Sequence, residues 1–138
     1  MSEARNPVQE WGQALGAAVV AATLPLVAAW TLRLAGAGTM PAHADAWVVL
    51  VTTPLVVFGF ARWAARLASG APLLHATVVG AAPGALIAGI AAVRDPTALV
   101  AGTSPFAPLP IAIWTAVNLA SGMLAGTRVR RARRTTAR

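Results

Sequence analysis

The residues most able to build a binding site lie at the midpoints of four apolar stretches of the sequence. Each midpoint carries a proline or an asparagine, and threonines share that depth in the first two stretches. This midplane layer comprises Thr23, Pro25, Thr52, Thr53, Pro54, Pro83 and Asn118. A proline inside a helix removes one backbone hydrogen bond and leaves a carbonyl oxygen to be satisfied by another group. Transporters use such interrupted helices to bind substrates near the middle of the membrane.

The midplane layer also has a simpler explanation, which we favour. Prolines are frequent in membrane helices, and threonine hydroxyls can satisfy the backbone groups that a proline leaves unpaired. A substrate site within the membrane generally includes an ionisable side chain. The acids of this chain, Glu3, Glu10, Asp45 and Asp95, are all predicted to lie outside the apolar stretches. The layer is therefore interpreted as a packing feature rather than a substrate site.

No residue pattern supports enzymatic or metal chemistry. The chain contains no cysteine, so disulfides and thiolate sites are excluded. His43 and His75 are the only side chains that would titrate near neutrality or bind a haem. His43 is assigned to an outer loop and His75 to the opposite, cytoplasmic end of the third stretch, where we expect an interfacial hydrogen bond. We predict a non-enzymatic protein with no catalytic residues, no metal and no cofactor.

The composition identifies the elements that position these residues as membrane helices. Of 138 residues, 57% are hydrophobic and only 11% are charged, against about 25% charged in a typical globular domain. About 20 apolar residues of helix are needed to cross a hydrocarbon core of about 30 Å. Four stretches meet this length, at residues 15–34, 46–65, 72–93 and 109–126. They predict an all-α integral membrane protein, with four transmembrane helices forming an antiparallel up-down bundle in a single domain, residues 1–126.

Arginines and tryptophans predict the orientation of these helices. If the N-terminus is cytoplasmic, nine of the eleven arginines lie inside, and only Arg33 and Arg94 lie outside. Those inside are Arg5, Arg62, Arg66, Arg128, Arg130, Arg131, Arg133, Arg134 and Arg138. The positive-inside rule then places both termini in the cytoplasm. Trp11 with Trp30, and Trp47 with Trp63, bracket the first two helices as interfacial tryptophans do.

Two pairs of glycines are predicted to mark helix contacts. Gly80 and Gly84, and likewise Gly122 and Gly126, are four residues apart and therefore share one helix face. Small residues at this spacing allow close backbone approach where lipid provides no hydrophobic drive between helices. We favour contacts inside one bundle, and the alternative of contacts between subunits stays open.

The end of the chain, residues 127–138, carries six arginines and no acid. We expect a basic, cytoplasmic and disordered tail. Together with Arg62 and Arg66 it should attract anionic lipids of the bilayer. Nucleic-acid binding is not expected, because the tail has no aromatic residue to stack on bases.

These features predict a multi-pass protein of the bacterial cytoplasmic (inner) membrane. The leading hypothesis is an accessory or scaffolding subunit of a membrane complex, for which a membrane-protein partner is expected. A homo-oligomer is the other assembly that stays open. The alternative is a small oligomeric transporter or channel with a pathway lined at mid-depth by Thr23, Thr52, Thr53 and Asn118. Convergence of these four side chains on a water-accessible cavity would favour the alternative.

Overall fold

The computed structural model describes residues 6–36, 44–101 and 110–136, apart from the side chains of residues 45, 98 and 99. The described chain is helical, with four long helices and one short helix in the third connection. The helices are α1 (Pro7–Ala35), α2 (Ala44–Leu67), α3 (Pro72–Arg94), α4 (Pro96–Val100) and α5 (Ile111–Thr136).

Three of the long helices, α1, α2 and α3, are long and apolar enough to cross a membrane. Their most apolar windows have mean hydropathies of 1.9, 1.7 and 1.9. The prediction of an all-helical membrane protein is confirmed to this extent. Helix α5 is not among the three, because Asn118 and Ser121 interrupt its apolar half and arginines follow from Arg128 onward.

Helix α1 begins at Pro7, eight residues (15 − 7) before the predicted start at residue 15. The Asn6 side chain caps the helix by accepting a hydrogen bond from the Val8 N–H at 3.0 Å, and a proline at the first helical position loses no helical hydrogen bond. The extension brings Glu10 into the bundle, where it is only 5% exposed. Glu10 precedes the apolar stretch that begins at residue 15, as predicted, but it lies within helix α1 and is buried rather than in a segment ahead of the first helix.

Helix α5 continues to Thr136, ten residues (136 − 126) beyond its predicted end, so the prediction of a disordered tail is wrong through that residue. The extension is held by tertiary contacts. Val129 is buried in the bundle core, and Arg133 donates hydrogen bonds to the carbonyls of Ala65 and Arg66 at the end of α2. Residues 137 and 138 lie outside the described residues.

The four long helices run alternately up and down, as two core clusters show. One cluster joins the first halves of α1 and α3 to the second halves of α2 and α5, and the other joins the remaining halves. Helices α2 and α3 each contact the other three long helices, whereas α1 and α5 share no contact within the described residues. We call the end that holds the beginnings of α1 and α3 and the ends of α2 and α5 the basic end.

The outer surface of the bundle is apolar along its length. Large hydrophobic side chains are about half exposed or more on every long helix. Examples are Val19, Val27, Val51, Leu55, Leu74, Ile113 and Leu124. A contiguous apolar surface of this kind is typical of a protein surrounded by lipid or by partner helices.

Candidate functional site

The threonines of the midplane layer bond within their own helices. The hydroxyls of Thr23, Thr52 and Thr53 each donate to the carbonyl four residues earlier, at Val19, Val48 and Val49. Thr53 is 1% exposed, while Thr23 and Thr52 are partly exposed on different helices. These threonine hydroxyls therefore bond to the backbone of their own helices and do not converge on a shared cavity.

The prolines of the layer lie inside continuous helices. Pro25 and Pro83 are buried and Pro54 is partly buried, in α1, α3 and α2 respectively. The Pro54 carbonyl accepts a hydrogen bond from the Ser121 hydroxyl of α5 at 2.7 Å. Ser121 thus links α5 to α2 at mid-depth, and its position follows no pattern in the sequence that indicates such a contact.

Asn118 is fully buried between α3 and α5. Its Nδ2 donates to the Trp114 carbonyl at 2.9 Å. Its backbone carbonyl oxygen lies 2.9 Å from the position that a Cβ at Gly80 would occupy. Its Oδ1 is buried with no hydrogen-bond partner among the described residues. Asn118 is therefore a packed residue of the α3–α5 contact.

The four glycines singled out in the sequence meet at that contact. A Cβ added to Gly122 would lie 2.6 Å from the Ala76 carbonyl oxygen, and one on Gly80 would lie 2.9 Å from the Asn118 carbonyl oxygen. A Cβ on Gly126 would lie 2.9 Å from the Ala76 Cβ, and one on Gly84 would overlap the Thr115 side chain. The absence of side chains lets the two backbones touch, and this contact is intramolecular.

A third pair of glycines, Gly12 and Gly16 on α1, has the same spacing but no neighbour. A Cβ added to either would meet no atom within 4 Å. Both positions are exposed, and the same face continues through the exposed Val19 and Val20. The spacing is readable in the sequence, but Gly12 was missed because the helix was predicted to begin only at residue 15.

A partly buried polar cluster joins two helices and a turn at the basic end. The backbone N–H of Ser69, in the α2–α3 turn, donates to Glu10 Oε2 at 3.0 Å. The Trp11 ring stacks on the His75 ring with centroids 4.2 Å apart. His75 is 3% exposed, and its Nδ1 lies 3.0 Å from the Ala71 carbonyl oxygen. The cluster fastens the start of α1 to the α2–α3 turn and to α3.

The polar cluster does not have the composition of a metal centre. In the described part of the chain, no three His, Cys, Asp or Glu side chains lie together as a metal ion would need. His43 lies outside the described residues, so its predicted position in an outer loop stays a prediction.

Most of the described arginines lie at the basic end. Arg62, Arg66, Arg128, Arg130, Arg131, Arg133 and Arg134 belong to the last turns of α2 and α5. Arg128 lies over the Phe58 ring, with its guanidinium carbon 5.5 Å from the ring centroid. Arg133 caps α2 by donating to the Arg66 carbonyl at 2.9 Å and to the Ala65 carbonyl at 3.3 Å. A cation at this position also interacts favourably with the negative end of the α2 dipole.

A groove opens beside this cap, with a volume of about 590 Å³. Residues 69–71 of the α2–α3 turn line one side of it together with Pro72, Leu73, Leu74 and Thr77 of α3, and Arg130 and Arg133 of α5 line the other side. None of the lining residues is acidic. The groove is therefore cationic on one wall and largely apolar on the other.

The fold and these sites define a class, an all-helical membrane protein with three helices long enough to span the bilayer. The comparisons with known proteins add no narrower assignment. No protein-family model, curated protein or solved structure matches the chain.

Proposed function

We propose that the chain crosses the membrane four times, with α5 as the fourth span. The packing of α5 on α3 supports this proposal. Near one end of the bundle Trp114 belongs to the same cluster as Ile87, and near the other end Gly126 packs against Leu73. A helix packed along the length of a spanning helix lies at the same depth. Its polar Asn118 is buried in that contact, where lipid does not reach it.

The proposed orientation has both termini in the cytoplasm of a bacterium. Seven described arginines lie at the basic end, whereas Arg33 and Arg94 lie at the opposite end, and cytoplasmic segments carry the excess of arginine. An enzyme reporter that is active only in the periplasm, fused after residue 138, should stay inactive, and one active only in the cytoplasm should be active. Periplasmic activity would contradict the cytoplasmic C-terminus, and together with a cytoplasmic N-terminus it would also contradict the fourth span.

Within this membrane arrangement we propose a non-enzymatic accessory or scaffolding subunit. The observation that carries the proposal is the open glycine face of α1. Gly80 and Gly122 have no side chain, and this allows α3 and α5 to pack closely. Gly12 and Gly16 are also four residues apart on one helix face, but no atom lies within 4 Å of a Cβ added to either. In membranes such a face binds another helix through close backbone contact. The transport alternative has less support, because the midplane threonines bond within their own helices.

Purification in mild detergent, with tagged chain expressed in its own host, tests the accessory role. The wild-type chain should retain a stoichiometric partner, and a Gly12→Ile, Gly16→Ile double variant should lose it because both side chains block backbone approach. Gly59→Ile is the matched control, since Gly59 is also helical and open but has no glycine four residues away. The accessory role would be contradicted if the chain purified as a homo-oligomer without another protein. It would also be contradicted if the Gly59→Ile control lost the partner as completely as the double variant.

A further inference from the structure

We propose that the groove between the α2–α3 turn and the end of α5 binds the head of one anionic phospholipid. Its phosphate would lie between Arg130 and Arg133, and its acyl chains would extend along Leu74. This inference rests on the membrane arrangement proposed above. It goes beyond general attraction of a basic tail to the bilayer, because it assigns the binding to one site.

The two arginines of the groove differ in how they are held. Arg133 is fixed because one of its terminal nitrogens donates to two carbonyls at the end of α2. A guanidinium carries five N–H donors, so the same side chain can also donate to a phosphate. Arg130 is exposed, three residues earlier on the same helix, and lines the same groove. One preorganised and one adaptable guanidinium are suited to the charge-assisted, bidentate hydrogen bonds that arginine forms with phosphate.

The other wall of the groove favours a lipid over a soluble phosphate. Leu74 is 51% exposed, on the apolar outer surface of α3, and Leu73 lies beside it. The groove is at a helix end, on the same end of the bundle as the half-exposed Trp63, and interfacial tryptophans lie at the level of the lipid headgroups. A phospholipid has a phosphate at the headgroup level and hydrocarbon chains next to it. The phosphate suits Arg130 and Arg133, and the chains suit Leu73 and Leu74.

The test measures lipid binding to the full chain in mild detergent by native mass spectrometry. Wild type, Arg130→Gln and Arg131→Gln are titrated with phosphatidylglycerol and with phosphatidylcholine. The two variants lose the same charge from the same helix, but Arg131 does not line the groove. Arg130→Gln should weaken phosphatidylglycerol binding about fivefold, the effect expected of one arginine near an anionic headgroup. Arg131→Gln should change it less than about twofold, and phosphatidylcholine should bind more weakly to all three proteins.

Equal weakening in the two variants would overturn the site, because binding would then follow net charge alone. Glycerol phosphate provides the soluble comparison. If it binds the wild type as tightly as the lipid, or if Leu74→Asn leaves lipid binding unchanged, the apolar wall plays no part and the lipid assignment is wrong. Retention of each variant in membranes after alkaline washing reports membrane insertion separately. The reporter fusion after residue 138, repeated on each variant, tests the four-span arrangement. Failure of the groove is therefore distinguishable from failure of the four-span proposal.

Discussion

The basic end and the midplane layer both contain polar side chains, but they use them differently. At the basic end, Glu10 and Arg133 each bond to the backbone of a different helix or turn. In the midplane layer, Thr52 and Thr53 bond to their own helix. At that depth the helices meet mainly through backbone contact at Gly80 and Gly122, beside the hydrogen bond from the Ser121 hydroxyl to the Pro54 carbonyl.

This difference follows from the solvent at each depth. A polar group within the hydrocarbon must be satisfied whether or not the helices have assembled, so bonds within one helix are favoured. Near the headgroups, water is available before packing, and polar contacts between helices can form during assembly. The basic end therefore joins helices through polar contacts, and the midplane joins them mainly through close packing.

The largest expected effect is at the glycine contact. Gly122→Val should destabilise the bundle by about 3 kcal/mol, because the added atoms meet the backbone of α3, which cannot move aside locally. Unfolding in sodium dodecyl sulfate, followed by circular dichroism, measures the change. Gly89→Val is the control, since a Cβ at Gly89 meets no atom within 4 Å. Similar losses in both variants would mean that valine destabilises the helices themselves rather than their contact.

The next largest effect is expected at the polar cluster. Glu10→Ala removes the acceptor of the partly buried Ser69 N–H hydrogen bond and should cost about 1.5 kcal/mol, the upper part of the range for a single hydrogen bond. Glu10→Gln keeps an acceptor oxygen and should cost less. Both are measured by the same unfolding titration, with tryptophan fluorescence reporting the Trp11 environment. If the glutamine variant loses as much as the alanine variant, the hydrogen bond to Ser69 is not the stabilising contact.

A smaller and local effect is expected at the cap of α2. Arg133→Ala should cost about 1 kcal/mol, by removing two hydrogen bonds and a favourable interaction with the helix dipole. Hydrogen exchange of the amides in residues 128–136 should become about fivefold faster, since the end of α5 loses an anchor. Arg131→Ala, at an exposed position, should leave these rates nearly unchanged. Unaltered exchange in the Arg133 variant would show that α5 is helical there without the cap.

The smallest effect separates the two kinds of mid-depth hydroxyl. Thr52→Val removes a bond inside one helix and should change the unfolding free energy by less than about 0.5 kcal/mol. Ser121→Ala removes the bond from α5 to the Pro54 carbonyl of α2 and should cost about 0.6 kcal/mol, the average for hydrogen bonds between membrane helices. Parallel titrations of the two variants make the comparison. A larger loss of unfolding free energy in Thr52→Val than in Ser121→Ala would contradict the view that Thr52 bonds only within its own helix while Ser121 joins two helices.

Much of the fold could be predicted from the sequence, because the length of an apolar stretch is a local property. Three of the four predicted stretches correspond to helices long enough to span the bilayer. Helix ends were predicted less well. The Asn6-Pro7 start of α1 is a readable capping signal, but the end of α5 is anchored by a hydrogen bond from Arg133 to the Arg66 carbonyl, 67 residues earlier in the chain. No local pattern reports such a contact.

The sequence by itself determined the apolar stretches, the concentration of arginines and the glycine pairs that share a helix face. Only the tertiary structure decided which pair is covered. Gly80 packs on Gly122, whereas Gly12 and Gly16 remain open. The burial of Glu10 and the groove at Arg130 were likewise decided by tertiary packing. The physical reason is that helical periodicity specifies which residues lie together on one helix, but not which neighbouring helix covers them.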